Sequence, residues 1–113
     1  MATPKRAASA VIRDIHAQRE SKVPLEEAKD GRPAKAVTIR RPPEGELWML
    51  AGGRIEVEHV CRYTVGWSGF SECDVIDGGA EDALEFHPEL FREVIVDRAD
   101  WISTIASAIA AAV

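Results

Sequence analysis

The chain has 113 residues, 46% of them hydrophobic, with a net charge of -5 and a pI near 5.2. That length suits one small domain and excludes two. The acidic balance argues against a general nucleic-acid binder, which is usually basic. The charge is uneven: residues 1–42 carry ten Lys/Arg against five Asp/Glu (+5), and residues 43–113 carry four against fourteen (-10). A basic arm ahead of an acidic body reads as a solvated tail, or as a tail that reaches a partner or its own domain.

Residues 1–35 are rich in Ala, Lys, Arg, Glu and Pro. Within "SAVIRDIHAQRE", Val11, Ile12 and Ile15 have helical spacing, and Ser9 is a candidate cap. The apolar face is thin, and a helix this short is marginal alone in water. "SKVPLEEAKDGRPAK" comes next, with two prolines and a glycine among charges, and reads as a linker. Residues 1–35 are therefore expected to form a flexible, poorly packed basic arm.

"KAVTIRR", residues 35–41, is a short strand candidate stopped by Pro42 and Pro43. "EGELWML" predicts a short helix with Glu44 and Glu46 at its positive end, ended by Gly52 and Gly53. "RIEVEHVCRYTVGW" fits two patterns. Ile55, Val57, Cys61, Tyr63 and Val65 alternate as in a strand, whereas Val57, Val60, Cys61, Thr64 and Val65 suit one helix face. The reading leans to helix.

Residues 66–83 predict a loop with glycines at 66, 69, 78 and 79. "FHPELFREVI" starts a helix, with His87 near its cap, Pro88 in its first turn, and Phe86, Leu90, Phe91, Val94 and Ile95 as its apolar stripe. "DRADWISTIASAIAAAV" is the clearest helix, with Asp97 or Asp100 to cap it and Trp101, Ile102, Ile105 and Ile109 on an apolar face. No apolar run approaches membrane-spanning length, and the N-terminus lacks the apolar core of a secretory signal.

No catalytic constellation emerges. His16, His59 and His87 lack metal-site spacing and read as surface or capping histidines. Cys61 and Cys73 fit no zinc or redox motif and read as reduced thiols. The acidic run Glu72, Asp74, Asp77, Glu81, Asp82 and Glu85 does not match a calcium loop and reads as solvated. "GWSGF" is not a nucleophile elbow, and "AGGR" is not a phosphate loop. The expectation is a non-enzymatic protein without cofactor or metal. In "VGWSGF", Trp67 between Gly66 and Gly69 reads as a hydrophobic plug where a helix exits into a loop, or as a partner contact.

In order, "VTIRRPPEGELWML", "CRYTVGWSGF", an acidic glycine loop and "LEFHPELFREVIVDRADWISTIASAI" resemble the small tail assembly chaperones of tailed bacteriophages. The resemblance covers about residues 36–112 and leaves out the first thirty-five. It implies a mainly α domain over residues 36–113, with at most one short β element, that performs no catalysis. It further implies binding to the long tape measure protein in the host cytoplasm during tail-tube assembly, without nucleic acid or membrane. The alternative is a structural tail or connector protein retained in the virion. Self-association is left open. The candidate partner-binding residues are Trp67, Phe70, Phe86, Phe91, Trp101, Ile105 and Ile109.

Overall fold

Asp30 and Gly31 both adopt positive φ, +51° and +76°. Two consecutive left-handed residues make the tight reversal whose twist suits a β-hairpin, and Asp-Gly is a preferred pair for it. Backbone hydrogen bonds between Lys29 and Arg32 close the turn. The computed structural model describes residues 5–50 and 55–111, without the side chains of residues 47–49. In it the turn joins strand β1 (Glu20–Glu26) to strand β2 (Lys35–Arg40). The pair is antiparallel, with Val23 opposite Val37. Strand β3 (Thr64–Ser68) pairs with the other side of β2, placing Trp67 opposite Val37. The sheet order is β1-β2-β3.

This three-stranded antiparallel sheet corrects the expected fold class. The domain is α+β and not mainly α with one short β element. It also corrects the flexible arm, because β1 falls inside residues 1–35 and its Val23 is buried in the core. The strand is hard to see in the sequence because it lies at a sheet edge. Most of its side chains are exposed, and an edge position tolerates Pro24.

Before the sheet, helix α1 spans Ala8–Gln18. Ser9 does not cap it; the cap position is Ala7, with no side-chain hydrogen bond. The helix buries none of its residues. After β2, helix α2 (Glu44–Leu50) forms as expected. Gly52 and Gly53, expected to end it, lie outside the described residues. Helix α3 (Val57–Tyr63) realises the helical option for the ambiguous segment, and Thr64 switches the chain into β3. His59 Nδ1 accepts a hydrogen bond from the Glu56 N–H at 3.0 Å, closing a capping box that starts α3. A short helix α4 (Glu72–Val75) interrupts the expected loop. Helix α5 (Pro88–Ile95) starts as read, with His87 Nδ1 accepting from the Glu89 N–H at 3.2 Å. Helix α6 (Ala99–Ala111) closes the domain.

Along β2 the side chains alternate, so Lys35, Val37 and Ile39 face inward. Helix α3 packs beside β3 and α6 beside β1, and α5 packs on both helices. Ile95, Ile105 and Ile109 are fully buried there, with Val60. Each such side chain contributes about 1.5–3 kcal/mol relative to exposure. No helix among the described residues is long and apolar enough to cross a membrane.

Gly69 marks where the sheet meets the helical layer. Its φ is +82°, and a Cβ there would lie 2.0 Å from the Ala34 carbonyl oxygen. A Cβ at Gly66 would make only ordinary contact with Thr38. Gly69→Ala is therefore expected to cost about 2–4 kcal/mol, from left-handed strain plus backbone displacement. Gly66→Ala should cost about 1 kcal/mol or less. Urea unfolding of both variants checks the contrast; equal midpoints would contradict it.

Candidate partner-binding site

The Gly-Trp element sits on β3, not at a helix exit. Trp67 is half-buried and its indole Nε1–H donates to the Leu84 carbonyl at 2.9 Å. Its ring stacks on Phe70 at 4.4 Å between centroids, with 15° between planes. It meets Phe86 and Phe91 edge-on, at 5.6 and 6.4 Å. Phe70 in turn packs edge-on against Trp101 at 5.6 Å. Such pairs contribute about 0.5–1.5 kcal/mol each beyond area burial.

The structure thus gathers Trp67, Phe70, Phe86, Phe91 and Trp101 into one cluster spanning β3, α5 and α6. Phe70, Phe91 and Trp101 are buried, and Ile105 and Ile109 point from α6 into the same core. These five side chains hold the domain together, and of them Phe70 and Trp101 also border surface grooves. Trp67 and Phe86 remain half-buried at the margin.

Beside the cluster lies a polar network. Lys35 Nζ sits 3.2 Å from Asp74 Oδ1, and both side chains are more than nine-tenths buried. Asp74 Oδ2 accepts from the Ser71 N–H at 2.8 Å and the Ser71 hydroxyl at 2.7 Å. Arg32 reaches the same carboxylate at 3.2 Å. Arg98 lies over the Trp101 ring at 3.5 Å and pairs with Asp100 and Glu26. Asp74 therefore departs from the solvated acidic loop expected around it. The legible signal was Ser71-x-x-Asp74, a capping pattern ahead of α4. Burial alone would raise the Asp74 carboxyl, but the Ser71 hydrogen bonds and Lys35 outweigh it and hold the group below its ordinary value.

The surface carries a second feature that the sequence did not single out. A groove of about 270 Å³ runs between α4 and α5. Val75, Ile76, Leu90, Val94 and Trp101 supply its apolar part, and Asp74, Glu93, Asp97 and Arg98 its charged part. Ile76 is 57% exposed. The α5 stripe explains this arrangement. Phe91 and Ile95 face the core, while Leu90 and Val94, one turn apart, look into the groove. The stripe is wider than one buried face requires. A lone isoleucine inside an acidic segment was the other available sign.

Among the described residues, no group of three or more His, Cys, Asp or Glu is arranged to hold a metal ion. Both cysteines are free and half-buried, and burial pushes the Cys61 thiol above its ordinary value. No family model, no curated protein and no solved structure matches the chain.

These contacts set two expected outcomes. Trp67→Ala should cost about 3–5 kcal/mol, the range for deleting a packed aromatic, read as a lowered urea midpoint; an unchanged midpoint would mean that the Trp67 ring packs without stabilising the fold. Asp74→Asn should cost about 1–3 kcal/mol at pH 7, because it leaves the buried Lys35 amine with only the Glu26 carboxylate, at 3.6 Å. A carboxyl with a lowered folded-state pKa stabilises the fold fully above its unfolded value and loses that contribution as pH falls through the folded value. The gap between wild type and Asp74→Asn should therefore narrow as pH falls below the ordinary value of 3.8. A gap that persists unchanged to about pH 2 would contradict the ion-pair account.

Proposed function

We propose that this chain is a tail assembly chaperone of a tailed bacteriophage. In this reading it is a non-enzymatic protein that binds helical segments of the tape measure protein in the host cytoplasm. It keeps them soluble until the tail tube encloses them. The observation that carries the reading is the exposed apolar groove between α4 and α5, with Ile76 and Val94 on its walls and Glu93 and Asp97 on its rim. A groove of this kind accepts the apolar face of an amphipathic helix. Helix α5, eight residues long, spans about 12 Å and matches roughly two turns of such a partner.

The charge around the groove supports the same reading. The charged residues that line it are Asp74, Glu93 and Asp97 against Arg98, within a segment, residues 71–97, of net charge -8. An acidic surround favours a partner helix with Lys or Arg beside its apolar stripe, and the net charge helps keep the complex in solution. The motifs that carry the resemblance are also neighbours in space, since Trp67 and Phe70 of "GWSGF" pack on Phe86, Phe91 and Trp101.

The test is co-expression with a tape measure protein from the same genome. The wild-type chain is expected to co-purify with that protein and hold it in the soluble fraction. Ile76→Glu, at an exposed position, should leave the unfolding midpoint within about 0.5 kcal/mol of wild type. It should send the tape measure protein to the pellet. Undiminished co-purification with Ile76→Glu, or none with wild type, would overturn the reading.

A further inference from the structure

Four arginines converge on one small pocket of an acidic protein. Arg19, Arg40, Arg41 and Arg62, with His16, Glu46 and Tyr63, line a cavity of about 200 Å³. They come from separate parts of the chain. Arg19 caps the end of α1, Arg40 ends β2 with Arg41 next to it, and Arg62 lies on α3. Backbone pairing brings the first three together. Glu20 faces Arg40 across β1 and β2, and the Arg41 N–H donates to the Arg19 carbonyl at 2.8 Å. The whole molecule carries -5, so the pocket has the opposite sign to its surroundings.

Two of the four guanidinium groups are matched by carboxylates. Arg40 pairs with Glu20 at 3.3 Å, and Arg62 pairs with Glu46. The Tyr63 hydroxyl donates to the other Glu46 oxygen at 2.9 Å, which fixes that carboxylate in place. Among the described residues, Arg19 and Arg41 form no ion pair. Four guanidinium charges against Glu20 and Glu46 leave +2 at the pocket. Arg40 Nε is also buried with no acceptor among the described residues. Like charges held together repel, and a guanidinium with a shielded, unused N–H is incompletely compensated. An anion in the pocket relieves both.

We infer that this pocket binds a phosphate-type dianion, either inorganic phosphate or the phosphate of a small monoester. Charge selects the class: a dianion neutralises the +2, whereas one carboxylate leaves half of it. Geometry agrees, because a guanidinium presents paired N–H donors that match phosphate oxygens two at a time. Arg19 and Arg41 supply the free forks, and Arg40 and Arg62, anchored by Glu20 and Glu46, add charge. A nucleic-acid backbone would need a basic track several phosphates long, and the molecule is acidic overall. The inference rests neither on the α4–α5 groove nor on the chaperone reading.

The test is an amide NMR titration of the full chain with sodium phosphate at about pH 8, where phosphate is a dianion. The amides of Arg19, Arg41, Arg62 and Tyr63 should shift along one saturating curve. Arg19→Ala and Arg41→Ala should each weaken the fitted affinity at least about ten-fold, the loss of a charged hydrogen bond. Arg41 is exposed and its backbone bond to Arg19 survives the substitution, so amides outside the pocket should keep their positions. Arg41→Lys keeps the charge without the fork and should weaken binding less than Arg41→Ala. Arg13→Ala removes an exposed arginine of α1 that does not line the pocket and should change nothing. Sodium acetate should bind at least about ten-fold more weakly than phosphate. Glycerol phosphate separates the two sources: tighter binding than phosphate assigns a monoester, weaker binding assigns the free ion, and both keep the site. Shifts that never saturate overturn the inference. So do affinities unchanged in Arg19→Ala and Arg41→Ala, acetate binding as tight as phosphate, or a short single-stranded oligonucleotide that binds where phosphate does not.

Discussion

At Gly69 the backbone passes so close to Ala34 and Lys35 that no side chain fits between them, and this crossing ties the end of β3 to the start of β2. The next five residues of the chain depend on it. Phe70 turns inward to stack on Trp67 and meet Trp101. Ser71 starts α4, and its cap brings Asp74 onto the buried Lys35 amine. A Cβ at residue 69 would have to push β2 and the α4 segment apart. The stacked rings and the buried ion pair would then lose their register together.

The ion pair has a consequence for the surface. Desolvating Lys35 and Asp74 costs energy that their attraction and the Ser71 hydrogen bonds must offset, so the pair tolerates little displacement. It holds α4 against the sheet, while Arg98, stacked on Trp101 and bonded to Glu26, holds the start of α6 nearby. Between those fixed points α5 runs with its apolar stripe divided. Phe91 and Ile95 complete the core, and Leu90 and Val94 are left beside Ile76. The groove is thus the outer half of a stripe whose inner half makes the domain stable.

Much of the helical layer was legible in the sequence. Pro88 behind His87 announced α5, the Glu-rich start announced α2, and the isoleucine spacing announced α6, because each signal is local. The sheet was legible only at β2. In β1, only Val23 is fully buried, and Pro24 and the flanking charges resemble a linker until a partner strand is supplied. Asp30-Gly31 was the local clue, a hairpin pair between "VPLE" and "AVTIR" hidden among charges. Val60, Thr64 and Val65 satisfied a helical period across the α3–β3 junction, so periodicity could not locate the change at Thr64. The candidate site was legible in reverse. Aromatic and isoleucine positions that stood out did so because they build the core. The exposed Ile76 and the half-buried Leu90 and Val94 differ from core residues only in where the fold places them.

If the α4–α5 groove is where this domain takes a helix, its amides must register the occupant. Amide hydrogen exchange of the full chain, with and without a soluble helical segment of the tape measure protein, tests this most directly. Residues 72–76 and 88–97 should exchange more slowly in the complex, while the strand amides of β2, already bonded on both sides, should change little. Protection confined to other elements, or an exchange pattern unaltered by a segment that does bind, would contradict it.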